Sequence, residues 1–282
     1  MTYEEEQHLL DLERIKNFRL IDDDFMKKVF EDAACTQELL RIIMEKDDLR
    51  VIEVKTEYEL HNLWGRSVRI DVYAEDSAGK RYDIEVQRAD KGAGEKRARY
   101  NSSMLDANEL KKSIDFTQLS ETYVIFITEN DVLKRNLPIY HIDRMIRETG
   151  EIFDDKSHII YVNNQITNDT PLGQLMRDFQ CTDSSEIKND IIADRVRYFK
   201  EEEEGVVGMC KAIEEMRTQA EARGEARGEA RGEARGEARG KARGRIETYA
   251  EMGLSFEEIV KRLMEKLSYT EADARELVKQ YM

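Results

Sequence analysis

Two short runs of alternating residues, Ser67–Tyr73 and Arg81–Gln87, bracket a turn sequence and constrain the fold more than any other feature. In the first run, Val68, Ile70 and Val72 share one face, and Arg69, Asp71 and Tyr73 share the other. In the second, Tyr82, Ile84 and Val86 oppose Asp83, Glu85 and Gln87. A period of two marks strands, whose successive side chains point to opposite faces. The link Asp76-Ser77-Ala78-Gly79-Lys80 suits a hairpin with a three-residue loop, with Gly79 at the position that needs a positive φ. If Asp76 pairs with Lys80, Asp71 lies opposite Glu85 and Arg69 opposite Gln87. Carboxylates so opposed, with Cβ atoms about 4.5–5.5 Å apart, destabilise a sheet. A hard divalent cation held between them removes the repulsion. The competing reading is an ordinary solvent-facing hairpin, and a slip of one residue would undo the pairing.

The flanking patterns extend the sheet. Phe25–Glu45 reads as a helix, Val51–Lys55 as a further strand and Glu95–Lys112 as a second helix. Tyr123–Thr128 is a continuous apolar run suited to a buried strand, followed by strands at Ile139–Ile142 and Ile159–Val162 and a short helix at Leu172–Phe179. Helices alternating with strands predict an α/β (α+β) domain, a mixed sheet flanked by helices, over residues 20–183, behind an N-terminal extension at 1–19. Residues 184–220 form a charged helix whose stripe of Ile192, Val196, Phe199, Val206, Cys210 and Ile213 is interrupted at Glu203. Such a stripe suits a helix laid on its own domain or, alternatively, a dimerising coiled coil.

Residues 221–240 are five copies of Glu-Ala-Arg-Gly, followed by Lys-Ala-Arg-Gly at 241–244. Each glycine costs a helix about 1 kcal/mol relative to alanine. Period four also stacks Glu over Glu and Arg over Arg at i, i+4, which is mildly unfavourable. With no large apolar stripe to bury, 221–244 reads as a polar linker of variable helicity, roughly 36 Å long if fully helical. Beyond it, 245–282 reads as a small helical appendage. Capping-box patterns at Ser255–Glu258 and Thr270–Asp273 precede apolar faces formed by Ile259, Leu263 and Leu267 and by Ala274, Leu277, Val278 and Tyr281.

Composition narrows the partners. The chain of 282 residues carries a net charge of −15, which argues against a surface that adheres everywhere to nucleic acid. Between Asn62 and Lys112, however, eleven basic residues face nine acidic ones. A phosphate-bearing partner would be met there, by Arg66, Arg69, Lys80, Arg81, Arg88, Lys91, Lys96, Arg97, Arg99, Lys111 and Lys112. Apolar runs such as Val124–Ile127 fall far short of the ~18 residues of a membrane helix, and the N-terminus lacks the pattern of a signal peptide. Cys35, Cys181 and Cys210 are odd in number and unpaired in spacing, so free thiols in a reducing compartment are expected. A soluble cytoplasmic protein with no membrane partner is the expectation. His8, His61, His141 and His158 show no metal-ligand spacing, Ser102 and Ser103 no base, Gly92–Glu95 no phosphate loop, and Trp64 suits packing.

Asp71 followed by Glu85-x-Gln87 on a hairpin resembles the D…(D/E)-x-K signature of the PD-(D/E)XK nuclease fold. Asp24–Phe30, Gly65–Val72, Asp83–Arg88, Arg97–Ser102 and Tyr123–Thr128 together resemble, more narrowly, the PD-(D/E)XK-family transposases, the Rpn-type recombination-promoting nucleases. The likeness spans roughly residues 20–200. It implies a restriction-endonuclease-like core and a metal-dependent DNA endonuclease associated with recombination. By that resemblance Asp71, Glu85 and the Val86 carbonyl would hold Mg²⁺, with Mn²⁺ as an alternative. Gln87 would stand where the wider fold has Lys; its amide can orient water but brings no charge. Asp24 matches an acidic position of the family motif, and equally suits a helix N-terminus beside Asp22 and Asp23. Arg88, Arg97, Arg99 and Tyr100 are candidates for DNA contact. A DNA-binding module with weak or no cleavage is the alternative function, and a purely structural interaction protein a third. The C-terminal helices are candidates for homo-oligomer formation.

Overall fold

The computed structural model describes residues 2–62, 65–88, 92–110, 113, 115–267 and 269–282. Trp64, Lys91, Lys111 and Lys112, singled out above, lie outside the described residues. The chain divides into two units, Met1–Lys211 and Ala212–Met282.

The first unit is built on a six-stranded sheet of β1 (Val51–Leu60), β2 (Val68–Asp76), β3 (Arg81–Gln87), β4 (Thr122–Thr128), β5 (Ile139–Ile142) and β6 (Ser157–Asn163). Their spatial order is β1-β2-β3-β4-β6-β5. The first three strands form an antiparallel meander, β3, β4 and β6 run parallel, and β5 closes the far edge antiparallel to β6. This is the mixed sheet that the alternation of elements predicts. Every residue of β4 is buried, which explains a run with no polar face: a central strand is covered on both sides. Parallel neighbours need a crossover, and the helix at Glu95–Glu109 supplies it between β3 and β4.

The hairpin adopts the expected register. Asp76 N donates to the Lys80 carbonyl at 3.0 Å, Gly79 has φ 77°, and the ladder runs from Glu75↔Arg81 to Val72↔Ile84. There it stops, one residue short of Asp71 and Glu85. Across β1, the register likewise passes from Thr56↔Val72 to Tyr58↔Ile70, and the intervening Glu57 has φ 52°. Val68 and Ile70 share a core cluster with Tyr73, Val124 and Phe126. Strict two-face alternation therefore breaks between Ile70 and Tyr73, at Asp71. Nor is the polar face of the hairpin wet: Asp71, Asp83 and Glu85 are all buried.

In chain order the helices are α1 (Tyr3–Asn17), α2 (Asp23–Phe30), α3 (Ala33–Met44), the crossover α4, α5 (Pro171–Asp178), α6 (Asp190–Glu201), α7 (Glu203–Glu251), α8 (Phe256–Leu267) and α9 (Glu271–Tyr281). The single helix expected at Phe25–Glu45 is two. Asp32 accepts from the amides of Ala34 and Cys35, so its side chain starts a new helix within an unbroken apolar rhythm. Helix α1 occupies the N-terminal extension, and a Thr2–Glu5 capping box opens it. All three cysteines are free thiols. Among the described residues no helix is long and apolar enough to cross a membrane.

In the second unit, Ile246, Ile259, Val260, Leu263, Ala274 and Val278 form a small core. Ser255 pairs with Glu258 and Thr270 with Asp273 at the two predicted helix starts. The tetrads at 221–244 are helical throughout as part of α7, and from Glu221 to Lys241 every described side chain is exposed.

Candidate functional site

The site forms where β2, β3, α2 and α4 meet. Glu85 lies on β3 between β2 and β4, and its side chain is fully buried. The Arg97 guanidinium, from the first turn of α4, closes on its Oε2, and Arg97 also donates to the Gly92 carbonyl at 2.8 Å. Two residues earlier on the same strand, Asp83 is also fully buried, and its Oδ2 accepts from Asn101 Nδ2 at 2.9 Å. Asp71, from β2, has Oδ1 3.5 Å from the Lys27 ammonium of α2.

Burial sets the protonation chemistry, with mutual repulsion added and, at Asp83, the Asn101 hydrogen bond opposing it. All three carboxyls are raised above the ordinary carboxylate range. Desolvation is the first cause in each; repulsion from the neighbouring acids adds to it, and Lys27 or Arg97 opposes it. Lys27 behaves oppositely. Burial would lower its pKa, but the charges of Asp71, Asp23 and Glu57 outweigh burial and raise it, so it stays an ammonium.

Three oxygens are left over. Asp71 Oδ2, Asp83 Oδ1 and Glu85 Oε1 are buried and have no hydrogen-bond partner. Orphaned buried carboxylate oxygens are costly. Hard oxygen donors of this kind suit a hard divalent cation, so the donor set fits one. Among the described residues, however, no group of three or more His, Cys, Asp or Glu side chains is already arranged around a metal position.

Above the carboxylates opens a cleft of about 900 Å³. Asp71 and Gln87 line it, whereas Asp83 and Glu85 are buried behind Asn101 and Arg97, which line it and bond to them. Its cations, Lys27, Arg66, Arg69, Lys96 and Arg97, outnumber its acids, Asp23 and Asp71. Arg69 is engaged by Glu57 at 3.4 Å. Arg66 and Lys96 are exposed, and neither has an ion-pair partner among the described residues. Tyr100 lines the cleft too, its hydroxyl donating to the Arg66 carbonyl and accepting from Asn62 at 3.0 Å.

Of the residues singled out from sequence, Asp71, Glu85, Gln87, Arg97 and Tyr100 come together here. Val86 sits between Glu85 and Gln87, 2% exposed and in register with Ile127. Asp24 turns away to Arg14, 3.3 Å distant, and it is Asp23 that enters the cleft. Arg88 pairs with Asp22 at 2.8 Å and with Glu129, outside the cleft, and Arg99 is exposed and does not line it. Asp83, Asn101 and Lys27 were not singled out as site residues, while Arg66 and Lys96 belong to the basic set between Asn62 and Lys112. Alternation along β3 already placed Asp83 on the face of Glu85, and that signal could have found it.

Residues 22–173, more than half of the chain, match the family model described as PD-(D/E)XK nuclease family transposase. The chain belongs to this family. No curated protein and no solved structure matches it. On β3, Glu85 and Gln87 stand two residues apart, and both are within the matched span. The Gln87 amide donates to Glu85 Oε2 at 3.4 Å and packs over Gly92, where an added Cβ would lie 1.8 Å from Gln87 Oε1. Only a glycine there leaves the amide its place.

Proposed function

We propose that this PD-(D/E)XK chain is a metal-dependent DNA endonuclease of the recombination-promoting type. Three buried carboxylates, each with an orphaned oxygen, beneath a cleft with excess positive charge, are the observation that carries the reading. Asp71 and Glu85 would hold Mg²⁺ or Mn²⁺, with the Val86 carbonyl as a further donor and Asp83 beside them. When bound, the cation would lower the pKa of a ligand water and offset charge on the phosphate.

The chain's own residues do the rest. Arg66 and Lys96, free of ion pairs among the described residues, bind the backbone phosphates, and Tyr100 holds the Arg66 loop. The Gln87 amide orients water. One water is consumed: its oxygen bonds to phosphorus, one P–O ester bond breaks, and the leaving alkoxide takes a proton. Nicking of supercoiled plasmid in Mg²⁺ tests the reading. Asp71→Ala and Glu85→Ala should each slow nicking at least 100-fold; equal nicking by either variant would overturn it.

A second reading is a DNA-binding module with little or no cleavage. Gln87 favours it, being neutral where the signature has a cation. It predicts a metal-independent gel shift with no nicking in Mg²⁺ or Mn²⁺.

A further inference from the structure

The (D/E)-x-K spacing ends here in Gln87, so β3 brings no positive charge to the cleft. One arrives from another element. Helix α2 is anchored by Phe25, Met26, Val29 and Phe30, all fully buried, and this fixes where Lys27 emerges. The Lys27 side chain is only 9% exposed, and it lines the same cleft as Asp71 and Gln87. Burying an ammonium is costly unless its partners compensate. Asp23 and Glu57 are half exposed, and pairs of that kind contribute little. Among the described residues Asp71, 10% exposed, is its one buried partner, and at 3.5 Å that contact is ionic rather than a close hydrogen bond. Of its contacts among the described residues only Asp23, at 2.9 Å, lies at hydrogen-bond length, so the ammonium keeps donors for a further oxygen. Arg97, 39% exposed, is committed to Glu85 and the Gly92 carbonyl.

We propose that Lys27 is a catalytic residue whose ammonium, delivered from α2, contacts the phosphate brought to Asp71 and supplies the positive charge that Gln87 does not. The assignment rests on the nuclease reading above. Lys27 transfers no proton in it; the fixed charge stabilises the extra negative charge that develops on the phosphate as water attacks.

The full-length chain decides the matter in three measurements: plasmid nicking in Mg²⁺, anisotropy of a labelled DNA duplex in EDTA, and thermal melting. K27Q should slow nicking on the order of 100-fold while weakening duplex binding less than about threefold, and K27R should retain at least a tenth of the wild-type rate. Adding Q87K to K27Q, which returns a cation from β3, should recover at least tenfold; a merely structural lysine would not be rescued this way. Where K27Q melts before assay temperature, K27M, which keeps the aliphatic stem, replaces it. Wild-type nicking with K27Q within threefold of it overturns this assignment alone. So does a folded, slow K27Q that Q87K fails to rescue, or failure of both K27Q and K27M to fold, which makes the lysine structural. A wild-type protein that binds DNA but nicks in neither Mg²⁺ nor Mn²⁺ overturns the nuclease reading and this assignment with it.

Discussion

Arg97, on the first turn of α4, closes over Glu85, whose carboxylate on β3 has no exposed surface of its own. Removing the arginine leaves a buried charge with one weak donor, the Gln87 amide. Breaking a buried pair typically costs about 3–5 kcal/mol. Arg97 is 39% exposed and Glu85 can take up a proton, so Arg97→Gln should cost less, about 1–3 kcal/mol in urea melts. Adding Glu85→Gln should recover most of that loss, and a double-mutant cycle showing no coupling would count against the pair.

Asp71, Asp83 and Glu85 all titrate higher in the fold than in the unfolded chain, burial being the main cause. The sign follows from linkage. A carboxyl with a raised folded pKa binds more protons native than unfolded, so stability falls as pH rises through that window. The metal-free protein should therefore melt lower at about pH 8 than at about pH 5, and Asp83→Asn should flatten the slope. Millimolar Mg²⁺ should act the other way, since a dication requires deprotonated carboxylates. Melting curves in EDTA that rise with pH would contradict the cluster's electrostatics.

The hairpin could be read from the chain because period-two alternation and a glycine at the positive-φ position jointly set its register. The break of alternation at Asp71 could not, for it depends on Glu57 of another strand. Asp83 gave a face but not its burial: the cover comes from Asn101, eighteen residues on, across the β3–α4 connection. Asp22, Asp23 and Asp24 are indistinguishable as letters. Each step along α2 turns the side chain by about 100°, so only the docked helix reveals that Asp23 enters the cleft and Asp24 meets Arg14. Lys27 stood inside the motif that carried the family resemblance, but its chemistry emerges only when α2 packs against β2.

Gly92 offers a separation of stability from chemistry. An added methyl would meet Gln87 Oε1 at 1.8 Å and Cδ at 2.8 Å, the movable end of a side chain rather than backbone. Gly92→Ala should therefore cost less than about 1 kcal/mol, since the amide can swing aside. The displaced amide no longer orients water, and nicking should fall on the order of tenfold. A large loss of melting temperature would show that Gly92 serves the fold instead.

Salt dependence tests the cleft as the DNA surface within a chain of net charge −15. Binding should weaken with a log–log slope near 0.9 per phosphate contacted. Arg66→Ala and Lys96→Ala should each lower that slope by about one, whereas Arg99→Ala, outside the cleft, should lower it less. Equal slopes for all three variants would move the DNA elsewhere.

The tetrads form helix while, among their described side chains, only Ala242 is buried, and that combination makes a prediction about length and composition. An added Cβ at Gly228, Gly232 or Gly236 meets no atom within 4 Å, and none of these glycines has a positive φ. Alanine there should fit without strain and gain about 0.5–1 kcal/mol of helix stability per site, so far-UV circular dichroism should show more helix at a given temperature. Removing two whole tetrads, eight residues, turns all that follows by about 80° at 3.6 residues per turn. A packed helix would not tolerate such a turn. Because the described tetrad side chains up to Lys241 are exposed, the deletion should leave the melting temperature of the first unit and its nicking of naked DNA nearly unchanged. A fall of several degrees, together with slow amide exchange across 221–244, would mean that the repeats are held by contacts rather than by their own helical hydrogen bonds.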